Sequence, residues 1–241
     1  MLTKKLRCIK VGYHGKVSTH PQTASVDLAI RSDQLNVHPD LLTVVERHKN
    51  HPWRKPIPVH TQQAVDQLLA WLDEQSGKPV ILDSFCGTGM STANLAQQFP
   101  EAAVIGVDKS ADRLGKHQRT QQENYCLIRA ECEPLWRLLV EHKVPIWQHY
   151  LLYPNPWPKS AHLKRRIHGH PAFVLLKRLG GSIELRSNWS IYVKEFAQAW
   201  QHLGLSGKMA PLTITTPLTL FERKYSQRGQ QLWQFRSEAL P

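Results

Sequence analysis

Two short stretches carry residue types that can do chemistry. The first, LDSFCGTGMSTANLA (residues 82–96), sets Asp83 at the end of an apolar run, follows it with Gly87 and Gly89, and then opens a helix. Glycines let the backbone turn tightly and approach a ligand, and a helix N-terminus offers unpaired N–H groups. Alone, this pattern is common to many tight strand-to-helix turns. The next run, IGVDKS, sharpens it, because Asp108 lies about twenty residues past the glycines, where a carboxylate can accept both hydroxyls of an adenosine ribose. The second stretch, YPNPWPKSAHLKRR (residues 153–166), gathers three prolines around Asn155 and Trp157 and then runs into Lys159, Lys164, Arg165 and Arg166. Each proline removes an N–H donor and pushes the residue before it toward extended geometry, which predicts a stiff loop offering carbonyl acceptors. Such acceptors suit a ligand edge that carries N–H donors. Trp157 is placed either to stack on a base or to anchor the loop. The basic run suits nucleic-acid phosphates, or else forms a solvated helix start.

Two cofactor classes compete for the glycine turn. A dinucleotide fold supplies a third glycine for close helix packing, and here that position is Thr92. An acid at Asp83 repels phosphate and suits an ammonium group. S-adenosylmethionine has the amino group, ribose and adenine that this layout can hold.

The elements around these stretches alternate. VILDS, AVIGVD, YCLIRA and IWQHYLLY read as strands; STANLAQQF, ADRLGKHQRTQQ and EPLWRLLVEH read as helices between them, so a parallel sheet flanked by helices is expected. After the proline loop come a helix FVLLKRL, a strand GGSIELRS, a helix NWSIYVKEFAQAWQHL, and two tail strands, LTITT and QLWQFRS. Apolar residues at helical spacing predict a helix over Val59–Gln75, and PDLLTVVERHK a shorter one before it. Residues 1–55 are otherwise polar and basic and read as an N-terminal arm or cap, leaving 56–241 as the main domain.

The 241 residues carry a formal net charge of +12, clustered at Lys4, Lys5, Arg7 and Lys10, at Arg47, Lys49, Arg54 and Lys55, and in the loop. That distribution points to a polyanionic partner. Cys8, Cys86, Cys126 and Cys132 form no CxxC pair, and HGHP at 168–171 has no nearby third ligand, so no metal site is expected. There is no apolar run of membrane-spanning length and no secretory hydrophobic stretch in MLTKKLRCIK, so a reducing cytoplasm is expected.

The order LDSFCGTG, IGVD, RAE, YPNPWPKSAHLKRR, SNWSIY and TLFERK resembles the bacterial tRNA (guanine-N7)-methyltransferase family over roughly residues 60–237. The resemblance implies an α/β fold, a doubly wound, mostly parallel seven-stranded sheet of the Rossmann-like methyltransferase type. It also implies methyl transfer from S-adenosylmethionine to N7 of a guanine in tRNA. Cofactor contacts are implied at Asp83, Asp108, Glu131 and Asn155, beside Gly87 and Gly89, with Asn155 at the reaction end. Substrate contacts are implied at Lys159, Asn188, Thr219 and Glu222, with Lys164, Arg165 and Arg166 on RNA phosphates. A monomer or weak homodimer is expected. The sequence departs from the family in having Asn155 and Asn188 where aspartates are usual, Asp83 for glutamate, and Ala130, Glu131 and Cys132 for Gly-Asp-Ala. Two other readings stay open. Asn-Pro-Trp resembles the Asn-Pro-Pro-aromatic loop of exocyclic-amine methyltransferases, and the two neutralised acids suit a weakened paralogue that only binds RNA.

Overall fold

The computed structural model describes residues 30–238. The first elements are α1 (Leu41–Asn50), α2 (Val59–Glu74), β1 (Val80–Ser84), α3 (Met90–Gln98), β2 (Ala103–Asp108), α4 (Ala111–Gly115), β3 (Tyr125–Arg129), α5 (Cys132–Glu141) and β4 (Ile146–Leu152). Two 3-10 segments, Ser160–Arg165 and Ile167–Gly169, lead to α6 (Phe173–Leu179), β5 (Ser182–Ser187), α7 (Ser190–His202), β6 (Gly207–Leu212), α8 (Leu220–Ser226) and β7 (Leu232–Ser237).

The strands form one seven-stranded sheet in the order β3-β2-β1-β4-β5-β7-β6. The first five run parallel, and β7 lies antiparallel between β5 and β6. This is the expected doubly wound sheet. The chain steps from β1 outward to β3 and then returns to lay β4 on the other side of β1, so a crevice opens beyond the carboxyl ends of β1 and β4.

Alternation along the strands divides the core. Val80 and Leu82 of β1, with Ile105 and Val107 of β2, face a large cluster with α1, α5, α6 and α7, while Ile81 and Val104 face a smaller one under α3. Helix α1 buries Leu41, Val44 and Val45 in the larger cluster, so the part of the expected arm that is described is docked on the domain. Its basic positions Lys4, Lys5, Arg7 and Lys10 lie outside the described residues.

Two elements differ from expectation. Helix α4 ends at Gly115, because HQRTQQ carries no apolar face to bury. The first tail strand is GKMAPL rather than LTITT: β6 pairs with β7 from Gly207↔Ser237 to Leu212↔Leu232. A Cβ at Gly207 would sit 2.3 Å from the Phe235 ring, so this register needs glycine there. Pro211 is tolerated because β6 is an edge strand. The β propensity of Thr-Ile-Thr loses to that pairing.

Candidate active site

The turn after β1 is left-handed at Phe85 (φ 63), Gly87 (φ 62) and Gly89 (φ 75). Its two glycines do different work. A Cβ on Gly87 would meet nothing within 4 Å, and Gly87 lines a cavity of about 630 Å³ at the sheet crevice. On Gly89 a Cβ would fall 2.7 Å from Leu127 Cδ1 and 2.9 Å from His117 Nδ1. Gly87 is therefore open to a ligand, whereas Gly89 serves the turn and the packing beneath it. The close approach of α3 to the sheet, which a third helix glycine gives in dinucleotide folds, comes here from the strand: a Cβ on Gly106 would lie 2.3 Å from Thr92 Oγ1. Gly106→Ala is expected to lower unfolding stability by about 1–3 kcal/mol in urea titration, the range for overpacking a filled site. A neutral result would show that α3 can move outward freely.

The acids lie at the strand ends. Asp108 lines the cavity, and its position is fixed by two backbone donors, Gly87 N–H to Oδ2 (3.0 Å) and Ser110 N–H to Oδ1 (2.8 Å). Arg113 adds an ion pair at 3.0 Å from a half-exposed side chain, which makes it the exchangeable partner. Glu131 precedes α5, lines the cavity, and accepts from Thr61 Oγ1 (3.1 Å) and from His60 Nε2 (3.0 Å). Burial would raise its pKa, but its own backbone N–H together with His60 and Thr61 outweighs that and holds it below the usual carboxylate value.

Asp83 corrects the expectation of a direct ligand contact. It is fully buried and does not line the cavity. Its Oδ2 accepts from Ser91 (2.6 Å) and Thr92 (2.7 Å), while Oδ1 has no partner among the described residues. Burial pushes its pKa up to about 6 against the pull of the two hydroxyls. By taking the Ser91 hydrogen, Asp83 leaves Ser91 Oγ, which does line the cavity, as an acceptor.

The proline loop forms the far wall. Tyr153 (φ 53) and Trp157 (φ 45) each precede a proline, yet both are left-handed rather than extended. Tyr153 N–H bonds to Arg186 O (2.9 Å), and Asn155 Oδ1 accepts the Trp157 N–H (3.2 Å). Fewer carbonyls are free than the proline pattern implied, since Trp157 O accepts from Arg166 and Pro158 O accepts from Ser32. The Arg165 guanidinium lies 4.8 Å from the Trp157 ring centroid, His162 packs edge-on to that ring, and Asn155, Trp157 and Arg165 all line the cavity. Lys159 and Lys164 are exposed outside it.

Arg166 is not the RNA contact expected from the basic run. It is wholly buried and ion-paired with Glu195, which is wholly buried too, so no phosphate can reach it.

The expected pair Thr219 and Glu222 divides in the same way. Thr219 lines the cavity and caps α8 by accepting the Glu222 N–H (3.0 Å). The Glu222 carboxylate accepts from Leu218 N–H (2.6 Å) and pairs with Arg186 (2.7 Å), wholly buried, so it serves the fold rather than a substrate. The Thr-x-x-Glu spacing of a helix cap was the available signal. Asn188 bonds Gln230 (3.4 Å) and does not line the cavity. Between Thr219 and Glu222, however, Leu220 and Phe221 are about half exposed and line the cavity, and Phe221 stacks on Tyr225 and faces Tyr153. These apolar side chains at an aqueous mouth escaped the sequence reading.

Cys86 and Cys132 also line the cavity, but burial holds both thiols well above their ordinary range, which makes them poor nucleophiles. Among the described residues no His/Cys/Asp/Glu cluster can hold a metal ion, and no helix is long and apolar enough to cross a membrane. The cavity thus joins an acid-lined end at Asp108 and Glu131 to a cationic, aromatic end at Trp157, Arg165, Phe221 and Lys224. Such a site can hold a cationic nucleoside at one end and a base with its phosphates at the other.

Residues 77–235 match the family described as "Putative methyltransferase". The tRNA (guanine-N(7)-)-methyltransferase of Aeromonas hydrophila subsp. hydrophila is 30% identical over 169 residues, covering 64% of this chain and 70% of that protein. The tRNA (guanine-N(7)-)-methyltransferase of an Escherichia coli strain is 26% identical over the same length. Among solved structures, the 16S rRNA methyltransferase KamB aligns with a TM-score of 0.50 at 17% identity, covering 71% of this chain and 94% of that one, which shows a shared fold. With a family match over most of the sheet and its site, the chain belongs to the tRNA (guanine-N7)-methyltransferase family.

Proposed function

We propose that this protein transfers a methyl group from S-adenosylmethionine to N7 of a guanine in tRNA, in the cytoplasm. The observation that carries the reading, in a member of this family, is the continuous cavity that runs from Gly87 and Asp108 to Asn155, Trp157, Arg165 and Phe221. The acid-lined end fits the cofactor: Asp108 would take the ribose hydroxyls in exchange for Arg113, Gly87 leaves room for close approach, and Ser91 offers an acceptor to the amino group. When bound, S-adenosylmethionine supplies an electrophilic methyl group on a sulfonium. Guanine N7 carries a free lone pair, so no general base is required. The work left to the protein is orientation, exclusion of water and stabilisation of charge spreading into the purine. Phe221 and Trp157 would hold the base between apolar faces, and Arg165 the adjacent phosphate. The exocyclic-amine reading fits the loop less well, since Trp157 stands where that loop carries its second proline.

Incubation with labelled cofactor and tRNA lacking N7-methylguanosine, followed by nucleoside analysis, tests the proposal. N7-methylguanosine is the expected product, and a methylated exocyclic amine overturns it. Asp108→Ala is expected to weaken cofactor binding in calorimetry by about 1.5–3 kcal/mol, the worth of a charged hydrogen bond. Neutralising Lys159, Lys164 and Arg165 together is expected to flatten the salt dependence of tRNA affinity, by up to about 0.9 in log–log slope for each phosphate that the variant no longer neutralises. An unchanged slope would mark the run as a solvated surface.

A further inference from the structure

We infer that residues 32–38, which precede the first helix, are a positioning strap that fixes the proline loop for methyl transfer. The inference rests on the proposed function only in taking that loop as the substrate wall. Four consecutive residues of the loop have main-chain groups held from outside the loop's own turn. Ser32 Oγ donates to Pro158 O (2.6 Å), and Ser160 N–H donates to Asp33 Oδ1 (3.0 Å). Arg166 donates to Trp157 O (3.2 and 3.1 Å) and to Lys159 O (3.2 Å).

Arg166 is itself aimed by the strap. Gln34 is buried, and its Oε1 accepts from Arg166 Nη2 (2.9 Å) while its Nε2 donates to Glu195 Oε1 (2.6 Å). The His38 N–H donates to the same Glu195 oxygen (2.9 Å), and the other Glu195 oxygen takes Arg166 and His168. The strap thus touches the loop directly at residues 158 and 160 and indirectly, through Arg166, at 157 and 159.

The reason to hold this segment so firmly is its geometry. Trp157 sits at φ 45, a conformation that bulky residues adopt only where their surroundings over-determine it. That conformation aims the Trp157 N–H at Asn155 Oδ1, so the orientation of the side chain at the reaction end follows from the loop's backbone. Ser32, Asp33 and Gln34 do not line the cavity, and they act as positioning residues through Trp157 and Asn155.

The test is the Ser32→Ala/Asp33→Ala double variant, which removes the two direct contacts from partly and fully exposed side chains, together with the acceptor of the Gln34 N–H (3.0 Å), and keeps the side-chain bond between Gln34 and Glu195. Hydrogen–deuterium exchange of peptides spanning 155–163 is expected to accelerate. In parallel kcat on tRNA is expected to fall at least tenfold, with cofactor Kd and unfolding midpoint unchanged, and Ser32→Thr/Asp33→Asn, which retains a donor and an acceptor, is expected to restore both readouts. Unchanged exchange over 155–163 overturns the strap. Faster exchange with unchanged kcat overturns its positioning role. If the wild type makes a product other than N7-methylguanosine, the proposed reaction fails while exchange, and kcat on that product, still decide the strap.

Discussion

Arg166→Met is expected to destabilise the protein by about 3–5 kcal/mol, whereas Arg165→Ala, one residue earlier, is expected to leave stability within about 0.5 kcal/mol. The two arginines are neighbours in a basic run and opposites in the fold. Arg165 is exposed over Trp157, while Arg166 is buried and donates to Glu195, Gln34, Trp157 O and Lys159 O. Methionine removes the permanent positive charge beside a carboxylate that cannot reach water, and strips donors from three other acceptors. Arg166→Lys is expected to fall between, since an ammonium keeps the charge but cannot span the same fork of acceptors. Urea unfolding of the three variants decides it. A small loss for Arg166→Met would mean that the buried cluster relaxes to admit water.

The same cluster sets an acid limit. Burial alone would raise the Glu195 carboxyl, but His168, the His38 N–H and Gln34 outweigh it and bring the pKa to about 2, from an ordinary 4.5. His168 is itself held low by burial, and Arg166 is ion-paired with the same carboxylate. The folded-state value lies below the unfolded one, so this stabilisation is complete above about pH 4.5 and is lost as pH falls toward 2. Glu195→Gln is expected to be less stable at neutral pH and to show a shallower acid limb in that window. An identical acid limb would place the titrating group elsewhere.

The sheet was legible because its central strands are buried on both faces: VILDS and AVIGVD read as unbroken apolar runs ending in an acid, and both strands occur where those runs lie. Strand β6 was not legible, since GKMAPL has a glycine and a proline and becomes a strand only through its pairing with β7. For the site, residue type was legible and burial was not. Gly87, Asp108, Glu131, Asn155, Arg165 and Thr219 line one cavity. Asp83, Arg166 and Glu222 are turned into the protein instead, Asp83 by the helix that follows it and the two others by partners far along the chain. Arg166 looks like its basic neighbours until Glu195 and Gln34 are brought against it from 29 and 132 positions away. No periodicity marks residues 32–38, whose role is carried by side-chain to main-chain bonds.

Asn155→Asp is expected to raise the turnover of guanine-N7 methylation by about tenfold for each 1.4 kcal/mol of added transition-state stabilisation. Asn155 stands on the cavity wall, at the position where the resemblance to the family implies an aspartate, and as methyl transfer proceeds the purine gains positive charge that an amide cannot neutralise. The exchange costs the loop little. Aspartate is as able as asparagine to accept an N–H two residues on, so the bond from Trp157 and the left-handed turn it supports can persist. The new charge would act on the purine mainly as its own charge develops, so kcat is expected to rise more than tRNA affinity. Asn155 is exposed, so the introduced carboxylate is ionised at neutral pH like an ordinary aspartate. Glu222 cannot already be filling this role, because both its oxygens are engaged in the fold, by Arg186 and by Leu218 N–H. Single-turnover rates of wild type and variant on unmodified tRNA, with the methylated nucleoside identified, measure the effect. A slower N7 reaction in the aspartate variant would remove Asn155 from the charge-stabilising position. A faster reaction would show that this chain works at a reduced rate through a substitution its loop was already built to reverse.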